Sequence, residues 1–87
     1  MEKTYTYILE CADGSLYTGW TLNLDERIQK HNNGTGAKYT RTRGPVKLVY
    51  FQEFDTRAKA CKRECEIKSN TRKEKLLLIE HFKKNAT

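Results

Sequence analysis

The stretch 5–31, YTYILECADGSLYTGWTLNLDERIQKH, sets polar and titratable side chains on faces that its own periodicity would otherwise make apolar. Among its side chains are the phenols of Tyr7 and Tyr17, a guanidinium at Arg27 and an imidazole at His31. A guanidinium stays charged and its planar fork matches phosphate oxygens, whereas an imidazole titrates at about pH 6.5 and can carry a proton either way. A phenol, with a reference pKa of about 10, is a poor base at neutral pH unless nearby positive charge lowers that value. Far along the chain, Glu64 falls among Ala60, Cys61, Cys65 and Ile67 on one side of a helical pattern. A carboxylate in such a stripe is costly without a cation, so Glu64 calls for either a salt bridge, with Arg27 as the candidate, or a metal ion. Together these groups could move a proton and neutralise negative charge.

The elements that must position them follow from the spacing. Residues 5–11 and 16–21 are two β-type runs; a two-residue loop of Asp13 and Gly14 would face Tyr7 with Trp20, whereas a three-residue loop of Ala12, Asp13 and Gly14, the register adopted, puts Gly14 in the left-handed position. That register sets Tyr7 opposite Gly19 and Leu9 opposite Tyr17, so both phenols share a face, and the glycine leaves bare backbone where a ligand could approach. Asn23 followed by Glu26 has the form of a reciprocal helix cap, and Leu24, Ile28 and His31 recur at helical spacing up to a stop at Gly34. Arg27 and His31 are neighbours one turn apart on this helix. Residues 46–54, VKLVYFQEF, read as a third strand; Asp55 or Thr56 caps a helix to about residue 68; Thr71 with Glu74 opens a last helix to about residue 83. The expectation is an α+β fold, a three-stranded antiparallel sheet flanked by helices in the order β-β-α-β-α-α, with residues 1–87 forming one domain. Tyr5 and Tyr50 read as core aromatics.

Eighty-seven residues leave no room for a second domain. Seventeen Lys and Arg against eleven Asp and Glu give +6, which suits a polyanionic partner, the alternative being a merely soluble basic surface. Residues 34–45, GTGAKYTRTRGP, are the best basic patch, with Lys38, Arg41 and Arg43 set to follow phosphates and Tyr39 to stack or hydrogen-bond, or else to tuck into the core. No apolar run approaches the roughly 20 residues that span a bilayer, and the N-terminus lacks a signal-peptide plan, so a cytoplasmic protein is expected. Three cysteines argue against a disulfide framework, and buried thiols are expected rather than a metal pair at Cys61 and Cys65.

Taken in order, Tyr7-Ile8-Leu9, Tyr17-Thr18-Gly19, Arg27, His31 and Glu64 resemble the GIY-YIG nuclease domain, in its small stand-alone bacterial form. The first motif departs from the family name, since Tyr5 precedes Thr6-Tyr7 where a glycine would stand. The resemblance implies a metal-dependent phosphodiester hydrolase acting on DNA, structured or single-stranded, in repair or recombination. It makes Glu64 the ligand of Mg²⁺ or Mn²⁺, Arg27 the transition-state cation, Tyr7 or Tyr17 the group that activates water, with Tyr7 preferred, and His31 a second claimant to the base role. Asn70 matches a further family asparagine only loosely and reads as a helix cap. DNA or RNA is the expected partner, with no membrane, and the protein a monomer or weak homodimer. The rival reading is a non-catalytic nucleic-acid binding module on the same basic face.

Overall fold

The computed structural model describes residues 3–34, 40 and 43–85. Its elements, in chain order, are β1 (Thr4–Glu10), β2 (Leu16–Thr21), α1 (Leu24–Asn32), β3 (Lys47–Phe54), α2 (Arg57–Ser69) and α3 (Arg72–Asn85). The strands form one antiparallel sheet in the order β2-β1-β3, so the expected architecture is the observed one.

The hairpin turns as its residues dictate. The Cys11 carbonyl accepts from Gly14 N–H at 2.9 Å, Cys11 N–H donates to the Ser15 carbonyl at 2.8 Å, and Gly14 has φ +85°, where a side chain would be strained. Tyr7 therefore pairs with Gly19 and Leu9 with Tyr17. Alternation along β1 feeds two cores. Tyr7, Leu9 and Cys11 pack with Val46, Leu24 and Ile28 under α1, whereas Ile8 packs with Val49, Tyr50, Ile67 and Ile79 under α2 and α3. The Thr6 hydroxyl, fully buried, donates to the Ala60 carbonyl at 2.7 Å and fastens α2 to the middle strand. Against β1, strand β3 carries one extra residue at Val49, a bulge that periodicity does not announce.

Caps fix where the helices begin. Asn23 Oδ1 accepts from Glu26 N–H at 3.1 Å, and Thr56 Oγ1 from Lys59 N–H at 3.2 Å. Thr71 and Glu74 form the complete reciprocal box, at 2.9 and 3.2 Å. The box expected at Asn23 is only half made. Glu26 turns its carboxylate to Lys30 at 3.2 Å, and Asn23 N–H donates instead to Thr21 Oγ1. Asn32, at the end of α1, accepts from Val46 N–H at 2.7 Å and donates to its carbonyl at 3.3 Å, tying the helix to the start of β3.

Candidate active site

Tyr7 stands at the centre, 1% exposed on the middle strand. A Cβ on Gly19 would lie 2.7 Å from the Tyr7 hydroxyl oxygen and 3.2 Å from the Tyr17 ring, so the bare backbone at Gly19 is filled by the two phenols. This corrects the reading of Gly19 as room for a ligand: the missing side chain admits Tyr7 itself. The Tyr7 and Tyr17 ring centroids are 6.4 Å apart, and Tyr17 lies 5.2 Å from the His31 ring.

Helix α1 brings the cation and the imidazole to the same oxygen. Arg27 Nε donates to the Tyr7 hydroxyl at 3.4 Å, and His31 Nε2 lies 3.1 Å from the same oxygen. His31 Nδ1 is 2.6 Å from Thr40 Oγ1, with His31 1% and Thr40 0% exposed. Tyr7, Tyr17, Arg27 and His31 thus form one contiguous cluster.

Electrostatics constrain what this cluster can do. Burial, with the Arg27 charge adding to it, lowers the His31 pKa to about 4, so the imidazole is neutral at physiological pH. Burial also raises Tyr7; the Arg27 hydrogen bond opposes this, while the charges of Tyr17 and Glu64 add to it. Burial therefore outweighs Arg27, and the guanidinium by itself does not bring the phenol below its ordinary value. The Arg27 pKa is raised, chiefly by its hydrogen bond to Tyr7, so its charge is secure.

A pH dependence follows. Unfolded His31 takes a proton at about pH 6.5, but the folded site refuses it until about pH 4. Between those values the unfolded state binds more protons, so stability is full above pH 6.5 and falls as pH drops toward 4, by about 3 kcal/mol in all. Thermal melts from pH 7 to 4.5 should show this loss, and His31→Gln should flatten it. An equal slope in the variant would place the effect elsewhere.

Glu64 is not in hydrogen-bond contact with the phenols. It lies on α2, which packs against the opposite face of β1 and β2, and its Oε2 pairs with Lys68 Nζ at 3.6 Å rather than with Arg27. Its side chain is 17% exposed, and its charge is felt at Tyr7. Among the described residues, no three His, Cys, Asp or Glu side chains converge as a metal-binding group. A lone, partly sheltered carboxylate suits a hard divalent cation that keeps most of its waters, and does not suit zinc. Cys65 is exposed and Cys61 half-buried, which corrects the expectation of buried thiols at that pair; Cys11 is buried.

Beside Arg27 opens a groove of about 380 Å³, lined by Trp20, Leu22, Asn23 and Lys30 among others. The Arg57 guanidinium carbon sits 5.3 Å from the centroid of Trp20. Neither the groove nor Thr40 is apparent in the sequence, although YTR within the basic stretch signals that Thr40 has charged and aromatic company. Lys38, Tyr39 and Arg41 lie outside the described residues. Arg43 is placed against the hairpin loop, its carbonyl accepting from Ala12 N–H at 2.8 Å and its Nε 3.3 Å from Asp13 Oδ2. Asn70 is a helix cap, its N–H donating to the Ile67 carbonyl.

The family model of the GIY-YIG catalytic domain matches residues 3–77. The chain is 64% identical over 75 residues to a UPF0213 protein of Clostridium perfringens, covering 86% of this chain and 81% of that one. It is 58% identical over 79 residues to a UPF0213 protein of Staphylococcus saprophyticus, covering 91% and 96%. Among solved structures, it is similar to a UPF0213 protein of Bacillus halodurans, with a TM-score of 0.59 at 49% identity, covering 90% of this chain and 83% of that one. A protein of E. faecalis has a TM-score of 0.63 at 42% identity, covering 94% and 88%.

Proposed function

Because the chain belongs to the GIY-YIG catalytic-domain family, whose domain implies nuclease-like activity, we propose that it is a divalent-metal-dependent endonuclease hydrolysing phosphodiesters in structured or single-stranded DNA. One observation carries the reading. A buried phenol oxygen is held at 3.4 Å by a guanidinium and at 3.1 Å by a neutral imidazole, an arrangement that packing alone does not call for.

The chemistry is derived from these contacts. Water approaches phosphorus in line with the leaving ester oxygen and gives its proton to the Tyr7 oxygen as the phenolic proton passes to His31 Nε2. Tyr7 need not be ionised beforehand, which fits its raised pKa, and a neutral His31 is free to accept. The new P–O bond forms as the ester P–O bond breaks, the leaving oxygen is protonated by solvent, and His31 returns its proton through Tyr7 or to water. Arg27 neutralises charge that builds on the phosphoryl oxygens. Tyr17 orients the water or the leaving group. Glu64 would hold Mg²⁺ or Mn²⁺, which when bound supplies Lewis-acid polarisation of the phosphate.

The phenols lie on one face of the sheet and Glu64 on the helix that covers the other, and because that helix packs on the edge strand β2, we place a phosphate that meets both along the outer edge of β2. The groove beside Arg27 opens toward that edge strand at Trp20. Substrate flanking the reacting phosphate would follow it, with Lys38, Tyr39, Arg41 and Arg43 as further contacts. Residues 1–87 act as a single domain, monomeric or weakly dimeric, in the cytoplasm, in DNA repair or recombination. Among the described residues no helix is long and apolar enough to cross a membrane.

A cleavage panel tests the proposal: labelled flaps, forks, junctions, single strands and RNA with Mg²⁺ or Mn²⁺, each repeated with EDTA. Nicking of a DNA substrate that stops with EDTA is the expected result. Binding of the panel at low salt without product under any condition would contradict it and favour a binding module.

A further inference from the structure

We propose that Thr40 is a positioning residue whose hydroxyl oxygen accepts the Nδ1–H of His31 and so fixes the imidazole tautomer that leaves Nε2 open to the Tyr7 proton. The catalytic consequence rests on the nuclease reading above; the tautomer does not.

Two tautomers could bridge Tyr7 and Thr40, and the chemistry of the partners separates them. If Nε2 carried the proton, it would donate to a phenol oxygen that already accepts from Arg27 Nε at 3.4 Å and whose lone pairs are drawn into the ring. If Nδ1 carries it, each group works in its stronger sense. The phenol, the most acidic hydroxyl present, donates to the basic Nε2 at 3.1 Å, and the aliphatic hydroxyl, a better acceptor than a phenol, receives Nδ1–H at 2.6 Å. A donor on one imidazole nitrogen fixes the acceptor role of the other, the logic by which an orienting group sets a catalytic histidine. With a neutral hydroxyl in place of a carboxylate, the imidazole gains orientation without a counter-charge, consistent with a pKa held down at about 4.

The backbone holds Thr40 in place for this. Its carbonyl accepts from Arg43 N–H at 3.1 Å, and the Arg43 carbonyl accepts from Ala12 N–H at 2.8 Å, so the hydroxyl is carried by a segment pinned to the same hairpin that carries Tyr7. Thr40 is also completely buried, where no water can replace its oxygen at Nδ1. The basic stretch that includes Lys38 and Arg41 thereby gains a second duty, since it carries the residue that orients the imidazole.

The test pairs ¹⁵N NMR of the imidazoles with single-turnover cleavage in Thr40→Val, which keeps the shape without the hydroxyl, and Thr40→Ser, which keeps the hydroxyl. Only two histidines, His31 and His81, need assigning. The parent should show His31 protonated at Nδ1 alone; Thr40→Val should show mixed tautomers and cleave about 10–100-fold more slowly at unchanged KM, and Thr40→Ser should restore both. A parent His31 protonated at Nε2, or a Thr40→Val protein with the parent tautomer and rate, would overturn the proposal. Should Thr40→Val not fold, the parent spectrum and Thr40→Ser decide it. The predicted tautomer pattern in a protein that cuts no DNA would leave the positioning role intact and remove the nuclease reading.

Discussion

Tyr7→Phe is expected to bind single-stranded oligonucleotide as the parent does and to cut it about 10²–10⁴-fold more slowly, the range by which a positioned proton acceptor accelerates such a step. The variant removes one oxygen from a ring that otherwise stays in place over Gly19. That oxygen is the one point where Arg27, His31 and the attacking water would meet. The change also leaves His31 Nε2 buried without its partner, which costs about 1–3 kcal/mol, affordable for a fold whose circular dichroism should remain that of the parent. Tyr17→Phe serves as the comparison: Tyr17 also packs on His31, but the proposed relay does not pass through it, so its loss should be the smaller of the two. Equal losses in both variants would mean that the assignment of the base to Tyr7 is wrong.

Gly19→Ala is the second change with a large expected effect, and it acts without removing a polar group. Its Cβ would fall 2.7 Å from the Tyr7 oxygen and 2.9 Å from the ring carbon bearing it, distances that require something to move. Tyr7 cannot swing away cheaply, since it is 1% exposed and its hydroxyl is bonded to both Arg27 and His31. Overpacking of this kind costs about 1–3 kcal/mol, and the phenol should lose its 3.1 Å contact with His31, so activity should fall about as far as in Tyr7→Phe. Gly14→Ala makes the control. No atom lies within 4 Å of its would-be Cβ, but its φ of +85° penalises alanine, so stability should fall by about 1 kcal/mol with cleavage unchanged. Melting temperature and single-turnover rate, measured side by side on both, separate backbone strain from loss of the phenol; a Gly19→Ala protein with the parent rate would contradict the packing argument.

Local chemistry carried most of the fold into the sequence. Asp13-Gly14 between two alternating runs announced the hairpin, but its register, and with it the common face of Tyr7 and Tyr17, turned on Ala12 joining the loop, since a two-residue loop would have faced Tyr7 with Trp20. Asn23, Thr56 and Thr71 announced the helix starts through the backbone N–H groups they satisfy. What escaped depended on which neighbour wins a shared group. Glu26 had both Asn23 N–H and Lys30 within reach, and the lysine took it. Glu64 has Lys68 one turn away, a pairing visible in the spacing, and it takes that lysine rather than the distant Arg27, the salt-bridge candidate that its apolar stripe suggests. Gly19 advertised a missing side chain without saying what fills the gap. Thr40 lies nine residues beyond His31, outside any helical period, so only three dimensions bring its hydroxyl to Nδ1.

The central claim is that this cluster, together with Glu64, hydrolyses a phosphodiester with the help of a divalent cation. It is tested most directly by measuring binding and cleavage together: one labelled oligonucleotide that the parent cuts, with Mg²⁺, followed by anisotropy and by product formation for the parent and for Glu64→Ala. The account predicts that both proteins bind, that the parent alone makes product, and that EDTA reduces the parent to the level of the variant. Glu64→Ala cutting at the parent rate with the same dependence on Mg²⁺ would contradict it.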